Sequence, residues 1–310
     1  MRAAMTTITA CLLLSAGLSG QADLFDRVKH EYATSNGVRI HYATIGTGPL
    51  VVMIHGFPDF WYTWRHQMEA LSGSFQVVAI DQRGYNLSDR PKGVENYDVR
   101  LLVEDVAAVI RHTGRDSATI VGYDWGGFVA WHFAMARPEM TDRLIVLNLP
   151  HPGGLMRELK SNPDQIANSE YARVFQRGSP TDPKIFFGLP MTPQTIAGWV
   201  TDAAARARYV DAFARSDFDA MLNYYKANYP KGSGPAAPDP PPMPKVKAPV
   251  LIFHGLADRF LNRNGLAGTW DFVEKDLTIV TVPGAGHFVQ QDAAEFVSST
   301  MKAWLAMRTR

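Results

Sequence analysis

Leu50 to Ile54 is an unbroken apolar run of strand length, and Phe75 to Ile80 is nearly another. Runs of this kind suit strands buried on both faces, as in a parallel sheet. Between Asp98 and His112 the pattern changes. Leu102, Val106, Val109 and Ile110 recur at helical spacing, and Gly114 follows as a stop. A strand (Ala118 to Val121), a helix (about Gly126 to Arg137, ended by Pro138) and a strand (Leu144 to Leu147) come next. This alternation predicts a mostly parallel sheet with helices on both faces. A hairpin precedes it, from His30 to Pro49, with Asn36-Gly37 at its turn.

The alternation resumes near Pro249, with the strand Val250 to Phe253, a helix before Glu274, the strand Leu277 to Val282 and a final helix after Gln290. The stretch from about Pro150 to Lys247 is helical and aromatic, without a convincing strand, and returns through the Pro-rich segment Pro230 to Pro249. The economical reading is one sheet carrying an inserted helical lid. The expected boundaries are a core over residues 23–149 and 248–310, and a lid over 150–247.

Formal charge is +1, with no long basic run and no aromatic-basic stripe, so nucleic-acid binding has little support. Residues 1–22 read as a signal peptide. Arg2 precedes a short apolar core from Ile8 to Leu18, and Gly20 and Ala22 stand before Asp23 at peptidase spacing. The run is short for a membrane span. The expectation is a periplasmic or secreted protein, with a cytoplasmic one as the alternative. Cys11 is the only cysteine, so the mature chain would hold no disulfide, no zinc-thiolate site and no cysteine nucleophile.

Gly122-Tyr123-Asp124-Trp125-Gly126-Gly127 stands between an apolar strand and a helix. That is the context of a nucleophile elbow, G-x-Nu-x-G, in which side chains two residues either side of the nucleophile would collide. Aspartate holds the position where esterases and peptidases hold serine. A carboxylate needs no base to be nucleophilic at neutral pH, and attack on saturated carbon gives an ester. The bland alternative is that Asp124 only caps the helix. No strand-flanked G-x-S-x-G occurs elsewhere, which argues against serine chemistry.

His287, in Gly284-Ala285-Gly286-His287-Phe288, falls at the end of the last strand, and Asp258 follows the strand before it. Sites in open α/β sheets assemble at that edge. His287 is therefore the candidate base and Asp258 the acid that orients its imidazole. His132, His112 and His254 lie in or at the ends of elements, and His55 reads as a structural hydrogen-bonder. Asn148 occupies the other place an acid could stand.

His55-Gly56-Phe57-Pro58 with Trp61-Tyr62-Thr63-Trp64-Arg65, Asp81-Gln82-Arg83-Gly84-Tyr85, Asp124-Trp125-Gly126-Gly127 and Leu149-Pro150-His151-Pro152 together resemble the epoxide hydrolase branch of the α/β-hydrolase fold. The similarity runs from about Glu31 to the C-terminus. It implies the α/β-hydrolase fold, a small apolar epoxide and water as reactants, and no cofactor or metal. It also implies two lid tyrosines that hydrogen-bond the epoxide oxygen. Glu170-Tyr171-Ala172-Arg173 and Asn223-Tyr224-Tyr225-Lys226 resemble the segments that bear them, which assigns the roles to Tyr171 and Tyr225, with Tyr224 the rival for the second.

On this resemblance Asp124 attacks an epoxide carbon, and His287 activates the water that hydrolyses the ester. The backbone N–H groups of Phe57 and Trp125 form the oxyanion hole for that second step. Asn86, where a glycine is common, and Tyr123, before the nucleophile, depart from the family pattern. A dehalogenase using the same aspartyl-ester chemistry is the nearest rival, and Trp125 could donate to a halide. A non-catalytic binding protein on a hydrolase scaffold is the rival from another class.

Overall fold

The computed structural model describes residues 23–308, so the expected signal peptide over residues 1–22, with Cys11, lies outside them. Among the described residues there are eight strands: β1 (Lys29–Ser35), β2 (Val38–Ile45), β3 (Leu50–Ile54), β4 (Gln76–Ile80), β5 (Ala118–Tyr123), β6 (Thr141–Leu147), β7 (Val250–Gly255) and β8 (Leu277–Val282). They form one sheet in the order β1-β2-β4-β3-β5-β6-β7-β8. The first two pairings are antiparallel and every later one is parallel.

The hairpin closes at Asn36 and Gly37, both at positive φ (48° and 82°), the geometry that favours Asn-Gly in tight turns. The strands read from unbroken apolar runs are the central ones, and every residue of β3, β5 and β7 is buried. The edge strand β8 alternates instead, with only Val282 fully covered.

Helix α1 (Leu24–Arg27) precedes β1, and α2 (Arg65–Leu71), α3 (Val99–His112) and α4 (Trp125–Ala136) fall among the first six strands. The face of α3 that carries Leu102, Val106, Val109 and Ile110 is buried, and Asp98 caps its first turn by accepting from the Arg100 N–H. The α4 helix is apolar on nearly all sides, as expected of a helix enclosed by the sheet and its neighbours.

Between β6 and β7 the chain forms α5 (Pro152–Ser161), α6 (Pro163–Asn168), α7 (Glu170–Arg177), α8 (Pro193–Ile196), α9 (Ala203–Arg215) and α10 (Phe218–Asn228). Local signals set their starts. Proline opens α5, α6 and α8, while Asn162, Asp202 and Asp217 cap α6, α9 and α10 with side-chain oxygens. The Pro-rich return is extended until a single bridge from Val246 to Val273 leads it into β7. After β8 come α11 (Val289–Asp292) and α12 (Ala294–Ala306).

One expectation needs correction. The helix expected before Glu274 is absent; two single 3-10 turns, Arg263–Leu266 and Thr269–Phe272, stand there. Gly265 and Gly268 explain why. Gly265 packs its backbone against Pro150, and Gly268 takes a left-handed conformation (φ 73°) that interrupts any helix.

Candidate active site

Six parallel strands end at one edge, and five of them, β3, β5, β6, β7 and β8, each deliver part of one site. The β5 turn carries Asp124 at φ 50° and ψ −121°, a strained conformation for a residue with a side chain. The turn is tight enough that a Cβ on Gly122 would fall against the carbonyl oxygen of Gly126, and one on Gly126 against that of Ile54. Although Asp124 stands immediately before α4, its side chain makes no capping hydrogen bond. It turns instead toward the loop after β3 and toward β8.

Asp124 Oδ1 accepts the Phe57 backbone N–H at 2.7 Å. Asp124 Oδ2 lies 3.3 Å from His287 Nε2. His287 Nδ1 lies 2.8 Å from Asp258 Oδ2. Asp258 is fixed in turn, because its Oδ1 accepts the Phe260 N–H at 2.8 Å and the Leu261 N–H at 3.2 Å. Trp125 is the first residue of α4, where a backbone N–H has no intrahelical carbonyl to bond.

The imidazole sits between two carboxylates. Burial opposes its charged form, but Asp258 and Asp124 on either side outweigh that and push His287 up to about 10. Asp258 shows the reciprocal effect. Burial pushes against its ionised form, and His287, Asn148 and the Phe260 N–H more than offset this and hold it below the ordinary carboxylate value.

Asn148 has a larger part in this geometry than its sequence position announced. It follows β6 at φ 41°, donates from Nδ2 to Asp258 Oδ2 (2.7 Å) and to the Gly286 carbonyl (3.0 Å), and accepts the Gly255 N–H (3.1 Å). One amide thus clamps the loops after β7 and β8. The signal that could have found it was its place, directly after a buried parallel strand. A second network went unread. Asp59 accepts from the Tyr209 hydroxyl at 2.8 Å, and Gln291, just past His287, donates to Tyr209 and Thr63. Burial is the main cause that pushes the Asp59 carboxyl up to about 7, against hydrogen bonds that pull it down.

The inserted helices supply the tyrosines. Tyr171 is on α7 and Tyr225 on α10, with ring centroids 6.0 Å apart, and both line the cavities that reach Asp124. The Gln176 side chain holds the two helices together by donating to the carbonyls of Tyr225 and Tyr229. Burial raises both hydroxyls well above the usual tyrosine value, and nearby Asp124 adds to it, so both stay protonated donors. The Trp125 ring meets that of Tyr225 edge-on at 4.9 Å, and Tyr225 meets Tyr171 in the same way. Tyr224 points elsewhere, donating to the Arg83 carbonyl at 2.9 Å.

Among the other histidines, His132 lines the cavity that reaches Asp124, with its Nδ1 2.8 Å from the Phe128 carbonyl. His55 pairs with the Gly56 carbonyl and accepts the Gln82 N–H, the structural role its position indicated. Asn86 tolerates its positive φ of 43° and donates to Asp81.

The α/β hydrolase fold family matches residues 49–294. Epoxide hydrolase 1 of Caenorhabditis elegans is 32% identical over 96% of this chain and 78% of its own length. Epoxide hydrolase 3 of Xenopus tropicalis is 32% identical over 87% of this chain and 75% of its own. The crystal structure of a Bacillus megaterium epoxide hydrolase in complex with an inhibitor superimposes with a TM-score of 0.78 at 33% identity, covering 89% of this chain and all of that one. With an elbow aspartate, a strand-end histidine and acid, and this likeness over most of its length, the chain belongs to the epoxide hydrolase branch of the α/β-hydrolase fold.

Proposed function

We propose that this protein converts an epoxide to a vicinal diol through a covalent ester on Asp124. The observation that carries the reading is the aim of the Asp124 side chain. It leaves its own helix uncapped and stands between the Phe57 N–H and His287 Nε2, in a cavity that it shares with Tyr171 and Tyr225.

In the first step an Asp124 oxygen bonds to a ring carbon as that carbon's bond to the epoxide oxygen breaks. The departing oxygen takes a proton from the Tyr171–Tyr225 pair. Without such a donor an alkoxide would leave into an apolar pocket, at a large cost in charge burial. In the second step His287, oriented by Asp258, takes a proton from water, and the hydroxide adds to the ester carbonyl. The oxyanion forms where the Phe57 and Trp125 N–H groups meet Asp124, and its collapse releases the diol. The electrostatics order the two steps. With both carboxylates ionised His287 holds its proton, and esterification of Asp124 removes one of those charges. The imidazole then passes its proton back to the tyrosinate left by ring opening, so it becomes a base only once there is an ester to hydrolyse. The proton it takes from water restores its starting state.

Intact mass of His287→Gln after exposure to epoxide and haloalkane panels tests this. The expected outcome is accumulation of an adduct equal to the whole epoxide, mapped to Asp124. An adduct equal to a haloalkane less its halide, with epoxides inert, makes the protein a dehalogenase and the tyrosines packing. No adduct from either panel rejects the covalent route. The leader-like residues 1–22 support export, to the periplasm or beyond the cell.

A further inference from the structure

We infer that the substrate is an internal epoxide, with an apolar substituent on each of its two ring carbons. This rests on the reading of Asp124 as nucleophile and narrows it.

Two cavities meet at the reacting groups, and Asp124, Tyr171 and Tyr225 line both. One, of about 310 Å³, extends beneath α5 and the Pro-rich return, past Phe128, Leu155, Met156 and Met243. The other, of about 270 Å³, extends past Phe186, Phe187, Trp199 and Phe288. Each alone approaches the lower end of the range of small-molecule sites, so neither is a mere vent. No lysine, arginine or glutamate lines either one. The Asn228 side chain in the first is already engaged, donating to the Tyr97 and Tyr224 carbonyls and accepting the Val99 N–H.

The ring has to sit between the Asp124 carboxylate and the tyrosine hydroxyls. Its carbon–carbon bond then runs across the line joining them, and groups on the two carbons diverge to opposite sides. An internal epoxide therefore sends one apolar group into each arm. A terminal epoxide fills one arm and leaves the other apolar wall facing water. Each methylene moved from water into such an arm is worth about fourfold in kcat/KM. The two arms are similar in volume, which suits substituents of similar size.

The test compares the terminal and the mid-chain epoxide of one straight alkane, isomers of equal overall hydrophobicity. The mid-chain isomer should show kcat/KM higher by about tenfold or more, although its ring carbons are the more hindered. A terminal isomer turned over equally well or faster overturns the inference. Met156→Trp, and separately Met243→Trp on the extended return, fill the first arm. Each should bring the mid-chain to terminal ratio toward one, whereas equal losses on both isomers overturn the assignment of that arm. Intact mass of His287→Gln with each isomer separates the two readings. An adduct from the terminal isomer alone overturns this inference and leaves Asp124 as nucleophile. No adduct from either isomer or from any other epoxide removes the covalent reading on which the inference rests.

Discussion

The two halves of the site are built in different ways. On the sheet side, Asp124, Asn148, Asp258 and His287 stand at strand ends and are joined by two hydrogen bonds of 2.7 and 2.8 Å and an ion-pair contact of 3.3 Å. On the helical side, Tyr171 and Tyr225 are set by aromatic contacts, with Phe175 5.5 and 5.0 Å from them and Trp125 4.9 Å from Tyr225, and one amide, that of Gln176, ties their helices together. Charged groups need fixed partners because an unpaired buried charge is costly. Neutral donors need only be held near the reacting oxygen, and dispersion between rings does that over many weak contacts. The sheet edge is thus the half that must not move, and the inserted helices are the half that can be varied to suit a substrate.

The most severe way to break this comparison is to remove the proposed nucleophile. Asp124→Ala should lower kcat/KM by about 10⁴-fold or more, since the remaining groups have no bond to form with the substrate. A loss of tenfold or less, measured as diol formation, would sink the covalent route. The helical half should respond less. Tyr171→Phe and Tyr225→Phe should each slow ester formation by about 10²-fold, with little change in ester hydrolysis. The double variant sharpens the point. A loss close to that of either single variant means that the hydroxyls act as one donor unit, and a multiplicative loss means independent donors. Unchanged ester formation in all three would leave the tyrosines as packing.

A smaller effect is expected at the clamp. Asn148→Ala should slow ester hydrolysis by about tenfold, because Asp258 and the Gly286 carbonyl each lose one hydrogen bond, and it should spare ester formation. Pre-steady-state kinetics separates the two rates, and a loss confined to ester formation would contradict the role. The least effect concerns stability. His287 is raised from 6.5 to about 10, so its contribution is fully present below pH 6.5 and is lost as pH rises through about 10. Asp258 is held below 3.8, so its contribution is present above that pH and is lost in stronger acid. The Tm of the wild type should therefore fall more steeply than that of His287→Gln between pH 6.5 and 10. Parallel curves would mean that the imidazole is not charged between its two carboxylates.

Much of this molecule was legible in one dimension, for physical reasons. Apolar runs with no polar interruption can be placed only in strands covered on both faces, so β3, β5 and β7 could be read directly. Gly122 and Gly126 around Asp124 mark a turn that admits no side chains, and the strand-end positions of Asp258 and His287 follow from the parallel order. The residues before Glu274 were misread because apolar spacing alone does not register a glycine held left-handed by its surroundings. Asp59 and Gln291 could not be read at all, and Asn148 offered only its place after a buried strand, not its partners. Their partners are distant in sequence, as the pairing of Asn148 with Asp258 across 110 residues illustrates. The choice between Tyr224 and Tyr225 was of the same kind. Adjacent residues on a helix point about 100° apart. Only the packing of α10 decided which tyrosine meets the Arg83 carbonyl and which lines the cavity that reaches Asp124. Local chemistry and periodicity belong to the sequence, whereas the two arms and the clamp exist only where separate elements meet in space.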